Sequence, residues 1–424
     1  MTSILGSRPL PARTAYLWWE GSWSLLHSVA FTLSMLYQVQ VAHLSPAELL
    51  IVGAAMEASC FLFEIPTSIV ADLYSRRLSV LIGGVVVGCG ILIQGVWGSF
   101  WPIVAAQIVW SLGFTFVSGA DDAWITDEVG ADAVQPLFTR FQQLHLGLTV
   151  AGTVLAGLIG QVNLHLPMLV AGPGYLLLST TMVLLMPETG FTPTPRRERE
   201  NWAQLKHTLR TGLSTARRPG IVRSFLLIAI ISGISSEVFD RLWTARIVDS
   251  FQLPTLFGIT GSAAWFTVFA VIGSLIALTA SLTTNRLAPH RVNALHPGGL
   301  LAALTVAQIA GMVGFALIGS LWPVLIAMWV RTSAQAVAGP VQAAWLQRNV
   351  DSRARATTVS LTSQADAFGQ VVGGPPLGAL AGRTSISTAM VVAAGLLAPA
   401  AALFARLRPA RAVRPAIQPA EEAK

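Results

Sequence analysis

Charged residues are scarce in this chain: they make up 11% of its 424 residues, against about 25% in a typical soluble protein. Hydrophobic residues account for 53%, and the mean hydropathy is +0.63. This balance excludes an ordinary soluble protein of the same length, because too few polar side chains remain to cover its surface. The composition instead predicts a membrane protein.

Cysteine is almost absent too. Cys60 and Cys89 both lie inside apolar runs, so the sequence gives no sign of a disulfide framework. No spacing of His, Cys, Asp and Glu matches a metal site, and there is no phosphate-binding loop of the Walker A type. No nucleophile stands beside a suitable base. The sequence therefore predicts no cofactor and no enzyme, and it gives no support to a pump driven by its own ATP hydrolysis.

Long apolar runs are what the chain does have. A bilayer crossing needs about 20 mainly apolar residues, and we find twelve such runs, numbered span 1 to span 12. Runs such as 81–96 are apolar on all sides, which excludes an outer-membrane barrel with its alternating strands. The first run is also too long for a signal peptide, whose apolar core has about 7–15 residues. The predicted limits are 16–41, 47–71, 78–98, 101–126, 136–160, 166–187, 220–249, 257–284, 294–318, 321–347, 355–381 and 385–407.

The positive charges are distributed unevenly across these spans. With this topology nearly all of the 27 Lys and Arg residues fall on one side of the membrane, and Arg383 is the exception among the loops. The positive-inside rule then places both termini in the cytoplasm, which requires an even number of spans. The membrane topology therefore accounts for the net charge of +7, so this charge does not indicate a nucleic-acid-binding surface. Arg far outnumbers Lys, as in GC-rich bacterial genomes, so we expect a bacterial inner membrane.

The chain divides into two related parts. Residues 188–219, rich in proline and charge, predict a cytoplasmic linker between an N-terminal six-helix half, 1–187, and a C-terminal six-helix half, 220–407, with a cytoplasmic tail at 408–424. An offset of 221 residues, as from Trp124 to Trp345, brings further identical residues together. This predicts a parallel repeat. The aligned pairs include Gln143 with Gln364, Gly152 with Gly373, and Gly157 with Gly378.

The segment after span 2 reads Ala71-Asp72-Leu73-Tyr74-Ser75-Arg76-Arg77. It resembles the signature of the major facilitator superfamily at the same place. The resemblance implies that Asp72, Arg76 and Arg77 form a latch between the halves in the outward-facing state. The match departs from the pattern at three positions: Ser68 and Ser75 replace glycines, and Leu73 replaces an arginine.

Three further segments, 63–67, 118–128 and 353–357 together with 369–375, resemble bacterial drug:proton antiporters of the macrolide and tetracycline efflux type. This resemblance implies twelve transmembrane helices in two pseudo-symmetric halves, with the substrate site between them near the midplane. It also implies coupling to protons. Those antiporters carry a glycine-proline motif in span 5, whereas span 5 here has glycines but no proline after Pro136. The direction of transport is therefore not predicted by that motif.

Ionisable residues inside spans cost roughly 2.5–3.5 kcal/mol each on insertion, so each needs a partner or a function. Glu57 and Glu64 lie seven residues apart, on one face of span 2. Asp121 and Asp122 are adjacent in span 4, and their repulsion favours a proton on one of them. We predict proton-coupling roles for Glu57, Asp121 and Asp122, with static pairing as the alternative.

The second half carries its own group of charges. Glu237 and Arg241 are spaced to pair along span 7, with Asp240 beside them. Arg331 and Asp366 both fall near the midplane, counted from the ends of spans 10 and 11. We predict that they pair, either as a static clamp or as a gate that breaks when Asp366 takes a proton. Glu237, Asp240, Arg241 and Arg331 are also candidates to line the substrate cavity.

For any one aromatic side chain the sequence favours packing against lipid or another helix, and a subset are candidates to line that cavity. The candidates are Phe31, Tyr37, Trp124, Trp265 and Trp345.

The sequence as a whole predicts a proton-driven antiporter that exports small amphiphilic molecules. Its partners are the substrate, protons and the lipid bilayer, and we expect a monomer. One alternative is a proton-coupled importer of a nutrient, with the same fold and the opposite coupling. Another is a transport-inactive membrane sensor or scaffold, against which the charges inside both halves argue.

Overall fold

The computed structural model describes residues 9–192, 220–256, 259–287, 296–350 and 355–407. Most of the predicted linker and the predicted tail lie outside these ranges. All twelve predicted spans are helices. They are span 1, Ala12–Phe31 continued by Ser34–Gln40; span 2, Pro46–Leu73; span 3, Arg76–Val96; span 4, Phe100–Val117 continued by Ala120–Val129; span 5, Ala131–Gly160; span 6, Leu166–Leu185; span 7, Ile221–Ser250; span 8, Ser262–Leu287; span 9, Gly298–Leu317; span 10, Leu321–Arg348; span 11, Arg355–Arg383; and span 12, Ile386–Arg406.

By length and composition alone, 10 of the described helices are able to cross a membrane. The other two are span 1, which is broken, and span 11, which carries Gln364, Asp366 and Gln370. Their polar residues lower the hydropathy, yet both helices pack within the same bundle. The predicted class, an all-α membrane protein, is confirmed.

Local sequence explains where span 2 begins. Ser45 and Glu48 form a capping box, in which the Ser45 backbone N–H donates to the Glu48 carboxylate at 2.8 Å. In return the Glu48 N–H donates to the Ser45 hydroxyl at 3.4 Å. Pro46 occupies the first helical position, where its missing N–H costs nothing. The helix therefore starts at a fixed residue on the side of the bundle opposite to the chain termini.

Spans 1 and 4 are each broken into two helices, which differs from the uninterrupted spans that we predicted. In span 4 the break lies at Ser118 and Gly119, and Gly119 has a φ of 78°, a conformation that glycine adopts without strain. Asp121 and Asp122 consequently sit in the first turn of the second helix, where the helix dipole favours negative charge. Hydropathy averaged over a whole span does not report such a break, because it is insensitive to the backbone conformation of a single residue.

The helices pack in the same order in the two halves. Span 1 contacts spans 5 and 6, span 3 contacts spans 4 and 6, and span 2 contacts span 4; adding six to each number gives the contacts in the second half. Gly152 of span 5 packs against Leu25 and Ser28 of span 1, as its repeat partner Gly373 of span 11 packs against Ile234 of span 7. The predicted internal repeat is confirmed as two pseudo-symmetric halves.

The halves meet through spans 2 and 11, spans 5 and 8, and spans 2 and 7. At the opposite end, away from the chain termini, one cluster of buried apolar residues draws on both halves, for example Leu36, Leu50, Phe239 and Phe266. At the terminal end, which carries both chain termini, the described residues form a separate cluster in each half. Among the described residues, the apolar packing that the two halves share is therefore concentrated at the opposite end.

Candidate functional site

Six ionisable side chains from spans 2, 7, 10 and 11 gather near the contact between the halves. Each is within ion-pairing or electrostatic reach of at least one other. The group has more carboxyls than guanidiniums, so at full ionisation it carries an excess of negative charge. We call it the central cluster, and it consists of Glu57, Glu237, Asp240, Arg241, Arg331 and Asp366.

The first pair in the central cluster is Glu237 and Arg241, whose side chains are 3.0 Å apart. Glu237 is 3% exposed, and the i,i+4 pairing predicted for span 7 is confirmed. The Arg241 guanidinium also approaches the Met56 sulfur of span 2 at 3.6 Å. Span 2 has Gly53 at this contact, and a Cβ there would collide with both members of the pair. The glycine therefore lets the pair lie directly against the other half.

The second pair is Arg331 and Asp240, 3.3 Å apart, with the Arg331 guanidinium 3.9 Å from the centre of the Phe239 ring. The predicted pairing of Arg331 with Asp366 is wrong, since Asp366 instead accepts a hydrogen bond from Gln370 at 2.8 Å. Counting residues along a helix gives the depth of a side chain but not its direction around the axis. Arg331 points to span 7, and Asp366 does not meet it.

The central cluster borders a cavity of about 380 Å³, the central cavity, into which Glu57 and Asp366 both project. Glu57 makes no hydrogen bond or ion pair with any residue that the structure describes. It lies within electrostatic reach of Arg241, but also of the carboxyls of Glu237 and Asp366. The rest of the lining is mixed: amide side chains come from Gln308, Gln335, Gln342 and Gln370, and apolar surface comes from residues such as Leu397 and Phe404. Two carboxyls that form no ion pair with a described residue thus face one space, one from each half.

A second cavity, of about 420 Å³, lies inside the first half between spans 1, 4 and 5; we call it the N-half cavity. Glu20 lines it, and the Glu20 carboxyl lies within electrostatic reach of the Asp121 carboxyl. Two neighbouring carboxylates repel each other, which favours a proton on one of them. Asp122 is more exposed and accepts a bond from the Tyr16 hydroxyl at 3.3 Å. The two predicted aspartates therefore have different surroundings.

Glu20 is a site residue that the search for charges within the spans passes over, because it stands near the start of the first apolar run. The spacing of polar residues in span 1 did indicate it. Tyr16, Glu20, Ser24 and His27 recur every three or four residues and so lie on one face of span 1. Ser24 contacts His145 of span 5 at 2.8 Å across the same cavity. Within the described ranges, no group of three or more His, Cys, Asp or Glu side chains is arranged to hold a metal ion.

The aromatic candidates divide into two groups. Phe31 stacks on His27, with ring centres 4.5 Å apart, and so lies beside the N-half cavity. Tyr37 is completely buried and its hydroxyl donates to the Gln94 carbonyl at 2.7 Å, so it lines neither cavity in this conformation. Large indole rings fill gaps between helices at least as readily as they line cavities. Three tryptophans are likewise buried in helix packing: Trp124, Trp265 and Trp345.

The residues of the predicted latch contact the first half wherever the structure describes their partners. Arg76 forms ion pairs with Asp127 and, at 3.8 Å, with Asp72. The Arg77 guanidinium donates to the Val183 carbonyl, and its backbone N–H donates to a Glu188 carboxylate oxygen at 3.0 Å. A latch between the halves stays a prediction for the outward-facing conformation.

Known proteins show the same fold. The family model described as the Major Facilitator Superfamily matches residues 21–373. The uncharacterized MFS-type transporter YxaM of Bacillus subtilis (strain 168) is 20% identical over 356 residues, which cover 82% of this chain and 84% of that protein.

Solved structures agree with this match. The nucleoside transporter NupG is 14% identical, with a TM-score of 0.72 over 93% of this chain and 98% of that one. A bacterial homologue of the human lysosomal transporter Spinster, in an inward-facing and unoccupied conformation, is 14% identical, with a TM-score of 0.69 over 93% and 96%. A POT family transporter in complex with 5-aminolevulinic acid is 14% identical, with a TM-score of 0.67 over 92% and 95%. The chain therefore belongs to the major facilitator superfamily and is a multi-pass membrane transporter.

Proposed function

We propose that this transporter exports small amphiphilic molecules, cations among them, in exchange for protons. The observation that carries the proposal is the placing of Glu57 and Asp366, which come from different halves, face the central cavity and form no ion pair with a described residue. A carboxyl in such a place is neutralised either by a proton or by a bound cation. Because one site does not hold both at once, arrival of the cation displaces the proton, and this competition is the basis of exchange.

The conformation fits the first stage of such a cycle. The described residues of the two halves share one apolar cluster at the opposite end, whereas at the terminal end each half has its own cluster. With the terminal end in the cytoplasm, as the positive-inside rule predicts, the molecule faces inward and accepts cargo from the cell. Closure of the terminal end, with Asp72, Arg76 and Arg77 as its latch, then opens the opposite end. Protons from outside then bind to the carboxyls, and the transporter returns to the inward-facing state.

The N-half cavity supports coupling to protons and affinity for amphiphiles. Its wall includes Trp23, Phe114 and Phe141, whose ring faces attract cations and bury apolar surface. Beside that wall Glu20 and Asp121 are placed to share a proton. We assign Glu20 and Asp121 to proton exchange and the aromatic wall to the apolar part of the cargo.

A second candidate is proton-coupled import of a polar solute, and the glutamines of the central cavity favour it. Amide groups both donate and accept hydrogen bonds, which suits a solute rich in polar groups. NupG is named as a nucleoside transporter and shares this fold. Import uses the same cavity and the same carboxyls with the opposite coupling, so the direction of proton movement separates the two candidates.

The test is proton movement in proteoliposomes that contain a trapped pH dye. Cationic dyes, macrolides and tetracyclines are added in one series, and nucleosides and organic acids in another. We expect protons to move opposite to a cationic dye in wild type, and the exchange to be lost in Glu57→Gln and in Asp366→Asn. Asp132→Asn is the matched control, because Asp132 is exposed at the terminal end and lines neither cavity.

Two outcomes would contradict the proposal. If protons accompany a nucleoside or an organic acid inward and no dye moves them, the transporter is an importer. If exchange of the dye persists in both variants, Glu57 and Asp366 do not carry the protons.

A further inference from the structure

A groove on the outer surface of the first half has no part in the transport path described above. It encloses about 870 Å³ between spans 1 and 5 near the terminal end. Trp18, on its edge, is 62% exposed and lies on the side of span 1 roughly opposite to Glu20, which faces the N-half cavity. The groove therefore opens toward the bilayer and not toward the central cavity.

The lining of this groove is divided between charge and apolar surface. Arg13, in the first turn of span 1, and Arg140 of span 5 both line it, and both are exposed. Neither guanidinium has an ion-pair or hydrogen-bond partner among the residues with described positions. The remainder is largely apolar, with Leu17, Leu25 and Leu148 along its length. A fitting occupant thus has an anionic head and a hydrocarbon chain.

We propose that the groove is a binding site for an anionic phospholipid of the phosphatidylglycerol type. Guanidinium groups bind phosphate oxygens through paired hydrogen bonds, and Arg13 and Arg140 would share the headgroup phosphate. The acyl chain lies along Leu17, Leu25 and Leu148, and Trp18 stands at headgroup level, where indole rings concentrate in membrane proteins. Basic pockets between transmembrane helices on the cytoplasmic side are suited to such lipids. The site is the same for export and for import.

Native mass spectrometry of the full chain in detergent tests the site. Phosphatidylglycerol and phosphatidylcholine with the same acyl chains are titrated separately onto wild type and onto Arg13→Gln/Arg140→Gln. One basic residue near a membrane surface changes affinity for an anionic lipid by roughly fivefold. We therefore expect the double variant to bind phosphatidylglycerol roughly 25-fold more weakly. Its weak binding of phosphatidylcholine should stay the same.

The matched control is Arg223→Gln/Arg406→Gln, which removes two exposed arginines at the same end but outside the groove. Its affinity for phosphatidylglycerol should stay within about twofold of wild type. Ser22→Trp fills the groove without changing charge, and we expect it to lose the lipid while keeping the wild-type melting temperature.

Three results would overturn the proposal. Equal loss in the control variant would show a general effect of surface charge. Displacement of the lipid by glycerol phosphate at the same concentration as by a short-chain phosphatidylglycerol would show a site for free anions. Unchanged binding in both Arg13→Gln/Arg140→Gln and Ser22→Trp would place the lipid elsewhere.

Discussion

Arg331 of span 10 and Asp240 of span 7 form an ion pair in which one side chain is buried and the other is exposed. The Arg331 side chain is 7% exposed and the Asp240 side chain 57%, with 3.3 Å between their charged atoms. Phe239 covers the other face of the guanidinium at 3.9 Å from the ring centre. The arginine is thus held within the second half, and Asp240 is the solvent-exposed member of the pair.

Removing that partner should destabilise the second half. Asp240→Asn leaves the Arg331 charge buried without a counter-charge, and a broken buried pair costs about 3–5 kcal/mol. Since Asp240 is half-exposed, we expect a smaller loss, about 2 kcal/mol, measured as the shift in thermal unfolding in detergent. Arg331→Met/Asp240→Asn removes both charges and should recover most of the loss. A wild-type melting temperature for Asp240→Asn would show that the pair does not stabilise the fold.

A side chain at Gly53 should force the ends of Glu237 and Arg241 to shift, and this contact is one of those that join the halves. We expect Gly53→Ala to displace the pair and to lower the stability of the closed opposite end by about 1–3 kcal/mol. Gly147→Ala is the control, since nothing lies within 4 Å of a Cβ at Gly147. That substitution should stabilise span 5 by about 0.5–1 kcal/mol through helix propensity. Equal effects of the two substitutions on thermal unfolding would contradict the prediction.

The opposite end should have to open during transport. There the Ser262 hydroxyl of span 8 donates to the Gln40 side chain of span 1 at 2.7 Å, so the two halves touch. We expect Gln40→Cys/Ser262→Cys, made in a chain with Cys60 and Cys89 replaced by serine, to be cross-linked by a short thiol reagent. Transport in proteoliposomes should then stop, and it should return when a reducible linker is cut. Gln40→Cys alone is the control, and transport by the fully cross-linked protein would exclude separation of the halves at this point.

Glu20 and Asp121 should show a protonated carboxyl in infrared spectra. The two carboxyls lie within electrostatic reach of each other, which favours a proton on one of them, and Glu20→Gln replaces one carboxyl by a neutral amide. We expect the carbonyl band of a protonated carboxyl to be present in wild type and to be reduced in Glu20→Gln. Asp132→Asn should leave the band unchanged. A spectrum identical in wild type and Glu20→Gln would show that the pair shares no proton.

The fold could be predicted from the sequence to a large extent, because crossing a bilayer imposes a length and a polarity on every span. The breaks in spans 1 and 4 could not, since a single glycine such as Gly119 changes the backbone without changing hydropathy. The Glu237–Arg241 pair was predictable because both residues stand on one helix. The partner of Arg331 was not, because it depends on how span 10 is rotated against its neighbours. Glu20 could have been found by asking which polar residues share one face of span 1, rather than which charges lie inside an apolar run.

Gly157 and Gly378, which the repeat aligns, both stand where helices of the two halves meet. Gly157 of span 5 packs against Thr267 of span 8, and Gly378 of span 11 packs against Leu50 of span 2. The two contacts are therefore equivalent by the repeat, and the one at Gly157 is the tighter of the two. A larger residue at only one of these contacts would tilt the axis about which the two halves rock. Larger residues at both contacts would keep the direction of that axis and reduce the amplitude of the rocking motion.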